Sequence, residues 1–389
     1  SSPTFSDDPK LDELWGLHNE GQTGGALDAD IDATEAWTRY TGSGEIVVGV
    51  IDTGVNYDHE DLAANIWINP GEIAGDGIDN DGNGYVDDVR GWDFVNDDND
   101  PMDDNKHGTH VAGTIGAVGN NGVGVAGVNW NVQIMPLKFL DNRGSGTTED
   151  AIEAVVYATK MRKLYEMSGG TKGANIVLTN NSWGGGAASN ALSNAIADSG
   201  DENMLFVASA GNSGGGAGYP ALYPHDNIIS VAATDHADQL ASFSSRGTGV
   251  DLAAPGVDIL STMRNKYNTL SGTSMAAPHV AGVASLVWDR LESNSYGPGY
   301  AEVRDLLFST ADTLPSLAGQ TDTGGRLNAN QALIAADVLL GQETVVSIDD
   351  MSVAEGDTDN TIEVVVKREG NLAKATAVDW ETFAIDATP

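Results

Sequence analysis

A chain of 389 residues with 40% apolar and 20% charged side chains can bury one large core or two ordinary ones. Its 57 acidic residues against 19 basic ones give a net charge of −38, which repels nucleic acid and anionic membranes. The absence of cysteine excludes disulfides, thiolate metal sites and a cysteine nucleophile, and no apolar run reaches the ~18 residues of a membrane helix.

With no initiating Met and no signal-peptide pattern, Ser1 reads as the start of a mature or trimmed chain. The first strong element is GEIVVGVIDTGVNYDHEDL (44–62), where the apolar run Ile46–Ile51 stops at Asp52-Thr53-Gly54. Two chemistries put a carboxylate at the end of a buried strand. Paired aspartates activate water together; a single aspartate orients a histidine that serves a serine. A second Asp-Thr-Gly at Asp322-Thr323-Gly324 keeps both open at this point.

An acidic stretch follows, with eleven Asp against the single Arg90 between Asp76 and Asp104. These carboxylates alternate with Gly and Asn at ligand-like spacing, which predicts bound cations rather than a solvated loop. Within GDGIDNDGNGYVDD, Asp79, Asp81, Asn83, Gly84, Tyr85 and Asp87 follow the spacing of an EF-hand loop. Arg90 stands where that loop needs its bidentate Glu, which excludes a complete EF-hand and leaves Asp88 as a candidate replacement.

Beyond it, helix-like and strand-like segments alternate. NKHGTHVAGTIGA is a small-residue helix headed by His107, and VQIMPLKFL is a strand. TTEDAIEAVVYATKMRKLYEM is a helix, and ANIVLTNNSW is a strand leading to Ser182. ASNALSNAIADSG is a helix, and NMLFVASAG is a strand leading to Asn212. NIISVAATD and VDLAAPG precede the apolar helix SMAAPHVAGVASLVWDRLE, which opens at Ser274. Short Val- and Ile-rich strands alternating with helices predict an α/β fold, a doubly wound and mostly parallel sheet flanked by helices. Ligands in such folds sit at strand carboxyl ends, where Asp52, Ser182 and Asn212 all fall. GRLNANQALIAADVLLG (325–341) reads as the last helix; residues 342–389 then show only short β-rich runs broken by turns. The expected organisation is a catalytic domain over 1–341, with an insertion at about 70–104, and a short all-β C-terminal extension over 342–389.

The two aspartate chemistries separate on context. Asp322 follows LPSLAGQT rather than an apolar strand and precedes Gly-Gly-Arg, so it reads as a turn residue. Ser274 lies between small residues at a helix start, where backbone N–H groups and the positive dipole end favour an anion. With Asp52 and His107 it completes a nucleophile, a base and an orienting carboxylate. His110 and His279, close behind the catalytic positions, read as packed structural histidines.

The motifs VIDTGV, HGTHVAGTIGA, NNSWGG, ASAGNSG and SGTSMAAPHVAG resemble those of the subtilisin-like serine proteases, most closely the calcium-rich thermitase-like branch, over residues 7 to 341. The resemblance implies a secreted, monomeric serine endopeptidase made with a prosegment before Ser1, acting on proteins and peptides. Ser274 would be the nucleophile, His107 the base and then the acid, and Asp52 its orienting partner. Asn212 would supply an oxyanion-hole donor beside the Ser274 N–H. Substrate would lie as an added strand between Gly144-Ser145-Gly146 and Ser182-Trp183-Gly184. The primary specificity pocket, bounded by Ser182–Gly184, Ser209-Ala210-Gly211 and Gly218-Tyr219-Pro220, would favour bulky apolar side chains. Two or three Ca²⁺ sites are implied. The first takes Asp8, Asp61 and Asn121 with the carbonyls of Val118, Val123 and Val125. The second takes Asp93, Asp98 and Asp100 with Asn96. The third, which rests on the EF-hand-like spacing above rather than on the resemblance, is the insertion loop, through Asp79, Asp81, Asn83, Tyr85 and Asp87. Residues 342–389 resemble the opening strands of a Calx-beta module. The rival expectation is a calcium-binding surface or adhesion protein on an inactive protease scaffold.

Overall fold

In a computed structural model, which describes residues 3–348 and 366–370, the apolar runs form strands and the segments between them form helices. In chain order these are the short helix α1 (Ala33–Ala36), β1 (Val47–Asp52), β2 (Trp92–Asp93), α2 (His107–Gly116), β3 (Gln133–Lys138), α3 (Thr148–Ser168) and β4 (Ile176–Asn181). Then come α4 (Asn190–Asp201), β5 (Leu205–Ser209), β6 (Ile228–Thr234) and β7 (Leu252–Pro255). A hairpin of β8 (Ile259–Met263) and β9 (Lys266–Leu270) leads into α5 (Thr273–Glu292), α6 (Tyr300–Ser309), β10 (Asp312–Thr313), β11 (Gly325–Arg326) and α7 (Ala329–Leu339). Last are β12 (Thr344–Ile348) and β13 (Val366–Gly370).

Nine strands form one sheet in the order β10-β11-β7-β6-β5-β4-β1-β3-β2, with every neighbour pair parallel except β10–β11. The chain starts at the centre with β1, fills β2 and β3 on one flank, then returns to lay β4 on the other and builds outward from there. The direction of winding reverses between β1 and β4, which opens a crevice at their carboxyl ends. Asp52 closes β1 and Asn181 closes β4, so the crevice lies between Asp52 and Ser182.

Alternate strand residues sort to the two faces. Val47, Ile51, Met135, Leu137 and Phe206 share one buried cluster with Ala154, Val155 and Ala158 of α3 and Leu192 and Ile196 of α4. On the other face α5 packs along β4 to β7 with α2 beside it. α5 is buried almost throughout from Thr273 to Leu291, because a helix apolar on all sides belongs inside a core. α3 is delimited by local chemistry. Thr147 and Asp150 form a reciprocal capping box, worth about 1 kcal/mol, and Gly169 ends the helix in the left-handed region at φ 63°.

The chain divides into two compact units, Ser1–Leu333 and Ile334–Pro389. The second contains the antiparallel pair β12–β13, with Thr344 opposite Gly370. The Calx-beta resemblance of residues 342–389 lies, apart from this strand pair, outside the described residues.

Candidate active site

The carboxylate at the end of β1 meets a ring at the start of α2. Asp52 is fully buried; its Oδ1 accepts the Thr53 N–H at 2.7 Å, and its two oxygens lie 2.8 and 3.0 Å from His107 Nδ1. α2 reaches β1 this closely because Gly108 has no side chain: a Cβ there would run into the Gly54 carbonyl. Burial disfavours the charged imidazolium, but the Asp52 charge and hydrogen bond outweigh it and hold the ring above its ordinary value of 6.5.

A second buried carboxylate fixes this junction. Asp103 accepts the N–H groups of Asn105 at 2.8 Å, Lys106 at 2.9 Å and Thr109 at 3.0 Å, and the hydroxyls of Thr53 at 3.0 Å and Thr109 at 2.5 Å. Thr53 Oγ1 in turn accepts the Gly108 N–H at 2.9 Å. Asp103 thus satisfies donors at the start of α2 while pinning that helix to the end of β1. The sequence reading assigned it no role. Asp103→Ala would leave buried donors without an acceptor, and is expected to lower stability by about 3 kcal/mol. Urea unfolding, carried out in a Ser274→Ala background to prevent self-digestion, measures this. Buried Lys138 supports the same loop, donating to Asp104 at 2.7 Å and to the Thr53 carbonyl at 3.0 Å.

Ser274 is the second residue of α5. Pro278, four residues on, has no N–H to return to the Ser274 carbonyl, and Ser182 Oγ donates to that carbonyl instead at 2.8 Å. The Ser274 hydroxyl donates to the Ser182 carbonyl at 3.0 Å, so it rests on the end of β4 in this structure. Asn212 Oδ1 accepts both the N–H and the hydroxyl of Thr273, at 2.9 and 3.0 Å, which assigns its amide orientation and frees Nδ2 to donate elsewhere. A Cβ built on Gly272 would stand 3.5 Å from Asn212 Nδ2 and 3.6 Å from Ser274 N. Both nitrogens, with Asn212 Oδ1 at 3.8 Å, therefore border the bare side of Gly272.

His107, Gly144, Ser145, Gly146, Ser182, Trp183 and Gly184 line one cleft of about 590 Å³ with Tyr219 and Pro220, together with Phe139, Leu140 and Tyr223, which the sequence reading did not single out. Ser209, Ala210, Gly211 and Gly218 do not line it. Gly218 N–H donates to the Ala210 carbonyl at 3.0 Å, and Gly185 N–H to the Tyr219 carbonyl at 3.1 Å. A Cβ on Gly218 would meet nothing within 4 Å. Trp183 turns inward, its ring 4.7 Å from that of Phe139 and 6.4 Å from that of Phe206.

Asp322 stands apart. It is exposed and accepts the Gly249 N–H at 2.9 Å in the turn before β11. β11 lies five strands from β1, roughly 24 Å at ~4.8 Å per strand, whereas a carboxylate dyad must touch. His110 and His279 are buried, pushed down to about 4 by burial, and bonded to backbone carbonyls of Ile259 and Met275.

The residues of the three calcium expectations group as follows. Asp8 accepts the N–H groups of Asn120 at 2.8 Å and Asn121 at 3.0 Å. Asp61 accepts Asn121 Nδ2 at 2.9 Å and Val125 N–H at 2.8 Å, while Val118 N–H reaches the Asp61 carbonyl. Asn121 Oδ1 accepts the Val123 N–H at 2.7 Å. Burial pushes Asp61 up to about 6, with nearby Asp8 adding to it. In the second group Asp93 accepts Asn96 Nδ2 at 2.8 Å and exchanges backbone bonds with Asp98, but Asp100 turns to the Tyr57 hydroxyl at 2.6 Å. In the insertion, Asp79 and Asp87 are each engaged by three loop N–H groups, those of Gly82, Asn83 and Gly84 and of Gly75, Asp76 and Gly77. Asp81 converges instead with Asp88 and with Glu72, a residue outside the expected set, their oxygens all within 4.8 Å. Asn69 and Asn83 amides and the Tyr157 hydroxyl donate to Asp88, which burial pushes up to about 7.

Residues 43–333, well over half the chain, match the sequence profile of the subtilase family. The chain belongs to that family. Subtilases are the subtilisin-like serine endopeptidases, and the curated relatives agree. The thermophilic serine proteinase of Bacillus sp. strain AK1 is 39% identical over 300 residues, which span 77% of this chain and 64% of that one. Thermitase of Thermoactinomyces vulgaris is 38% identical over 305 residues, spanning 78% of this subtilase and 93% of thermitase. Among solved structures, a protease from Pseudoalteromonas arctica superposes with a TM-score of 0.67 at 28% identity, covering 86% of this subtilase and all of that chain.

Proposed function

We propose that this subtilase cuts internal peptide bonds of protein substrates through Asp52, His107 and Ser274, with Asn212 and the Ser274 N–H stabilising the oxyanion. The observation that carries the reading is the buried Asp52 carboxylate held 2.8 and 3.0 Å from His107 Nδ1, with Asn212 Nδ2 and Ser274 N both bordering Gly272 at the head of the helix bearing the hydroxyl. His107 takes the Ser274 proton as the oxygen attacks the scissile carbonyl, then passes it to the leaving amine, and the acyl group remains on Ser274. Water, deprotonated by His107, attacks the ester; the acid product leaves and the proton returns to Ser274. Phe139, Trp183, Tyr219 and Tyr223 around the cleft support a preference for bulky apolar side chains before the scissile bond. The likeness to a Xanthomonas campestris relative named extracellular protease, 36% identical over 347 residues, supports secretion, and among the described residues no helix is long and apolar enough to cross a membrane.

The base must be neutral to act, and His107 is held above 6.5, so kcat/KM is expected to rise with pH through a midpoint above that value. The stabilising contribution of the His107–Asp52 ion pair runs the other way: full below pH 6.5, it is lost as pH climbs through the raised folded-state value. The test is hydrolysis of a denatured protein at pH 8 and pH 4, with and without a sulfonylating reagent. Activity at pH 8, lost on stoichiometric labelling of Ser274, upholds the reading. Activity at pH 4 that ignores the reagent, or none at either pH, overturns it; the second outcome favours the calcium-binding scaffold.

Calcium is the cofactor this reading includes. Asp8 and Asp61, buried and bonded to no Lys or Arg among the described residues, with the Asn121 side chain offer the oxygen set Ca²⁺ takes. An ion there would tie the N-terminal segment to the body and supply stability, with no part in the chemistry. Chelation is expected to lower Tm by about 5–10 °C, as loss of a ligand present at ~1,000 times its Kd would. Calorimetry of the Ser274→Ala protein with and without a chelator reads this; an unchanged Tm would exclude a stabilising ion.

A further inference from the structure

The substrate cleft and a second depression share Asn105; the second is lined by Lys106, Arg264 and Lys266 with the amides Asn265 and Asn268. In a chain with 57 acidic and 19 basic residues, three cations and no carboxylate line it. All three side chains are exposed, and among the described residues none is in an ion pair. The nearby acids are engaged elsewhere. Asp104 is held by Lys138 at 2.7 Å, Asp103 faces inward onto amides, and Glu60 accepts the Tyr267 hydroxyl at 3.1 Å.

Lys106 adds an independent sign. Directly before His107, its backbone has φ 141° and ψ −21°, a region that glycine occupies at far lower cost. A lysine held there, at a strain of order 1–3 kcal/mol, points to a use for its charge.

Position gives that use. The acyl half of the substrate stays on Ser274 along Gly144–Gly146 and Ser182–Gly184, while the amine half receives its proton from His107 and departs on the His107 side, where Lys106 stands. We infer that the depression binds Asp and Glu side chains on the carboxyl side of the scissile bond, so that segments acidic just after the cut are the preferred substrate class. The inference rests on the endopeptidase reading above. The net charge of −38 repels acidic chains only at a distance, and beyond ~8 Å that field is screened at physiological ionic strength. Within that range the three cations dominate.

The test uses internally quenched peptides with identical residues before the scissile bond and Asp-Glu, Asn-Gln or Lys-Lys after it. In ~0.1 M salt kcat/KM for the acidic peptide should exceed that for its amide isostere by roughly three- to tenfold, as two or three exposed ion pairs allow, and the ratio should shrink in ~1 M salt. In the Arg264→Gln/Lys266→Gln protein the ratio should fall toward one. Lys106→Gly should also lower it while raising Tm, which separates the charge from any structural role. A wild-type ratio of one or less, or an equal loss on every peptide in the variants, overturns the inference and leaves the endopeptidase reading intact. Failure to cut any peptide overturns both.

Discussion

Asp52→Asn is expected to lower kcat by about 10⁴ with little change in KM. The asparagine fills the same buried space and can still accept the Thr53 N–H, so the fold survives the exchange. Toward His107, however, the amide presents a donor where two carboxylate oxygens now face Nδ1 at 2.8 and 3.0 Å. The imidazole then carries its proton on Nε2 and cannot take one from Ser274. Initial rates at pH 8, normalised to titrated active sites, measure the loss. A decrease of less than tenfold would mean that the serine–histidine pair works without its buried partner.

The second large effect is at Asn212. Asn212→Asp keeps the acceptor that holds the Thr273 N–H and hydroxyl but removes the Nδ2 donor, whereas Asn212→Leu removes both. Each is expected to lower kcat by about 10²–10³ with KM nearly unchanged, because the donor acts on charge that develops only in the transition state. Should only the leucine variant lose activity, the contribution of Asn212 would lie in holding Thr273 rather than in the oxyanion.

Much of this architecture could be read before folding because its signals are local. The run Val47–Ile51 ending at Asp52 marks a central strand whose last residue faces the crevice, and the all-round apolar pattern after Ser274 marks the most buried helix. The last helix runs from Ala329 to Leu339, inside the 325–341 expected for it. The hairpin β8–β9 escaped notice because KYNTL, an exposed strand with no glycine turn before it, carries no apolar alternation. The role of Asp103 was out of reach for another reason: Thr53, one of its partners, lies 50 residues away and arrives only when β1 and α2 pack. The spacing of Asp79, Asp81, Asn83, Tyr85 and Asp87 is plain in the chain, but the direction each carboxylate takes is not. Lys160 and Lys172, which cap the carbonyls of Asn83, Asn80 and Asp81, approach from the body of α3 and the turn beyond it.

A protease is kept among copies of itself, and long surface loops are where chains are nicked first. To be cut, a segment must be drawn out as an extended strand across the neighbour's cleft, its amides free to pair there. The acidic loop over about 70–104 is ill suited to that fate. Asp87 and Asp79 each accept three successive backbone N–H groups, Glu72 accepts the amides of Asn80, Asp81 and Asp87, and the two lysines clasp the carbonyls between. Every one of these bonds would have to open before the loop could straighten. The carboxylates that give this loop the look of a cation site also make it a poor meal for its own kind.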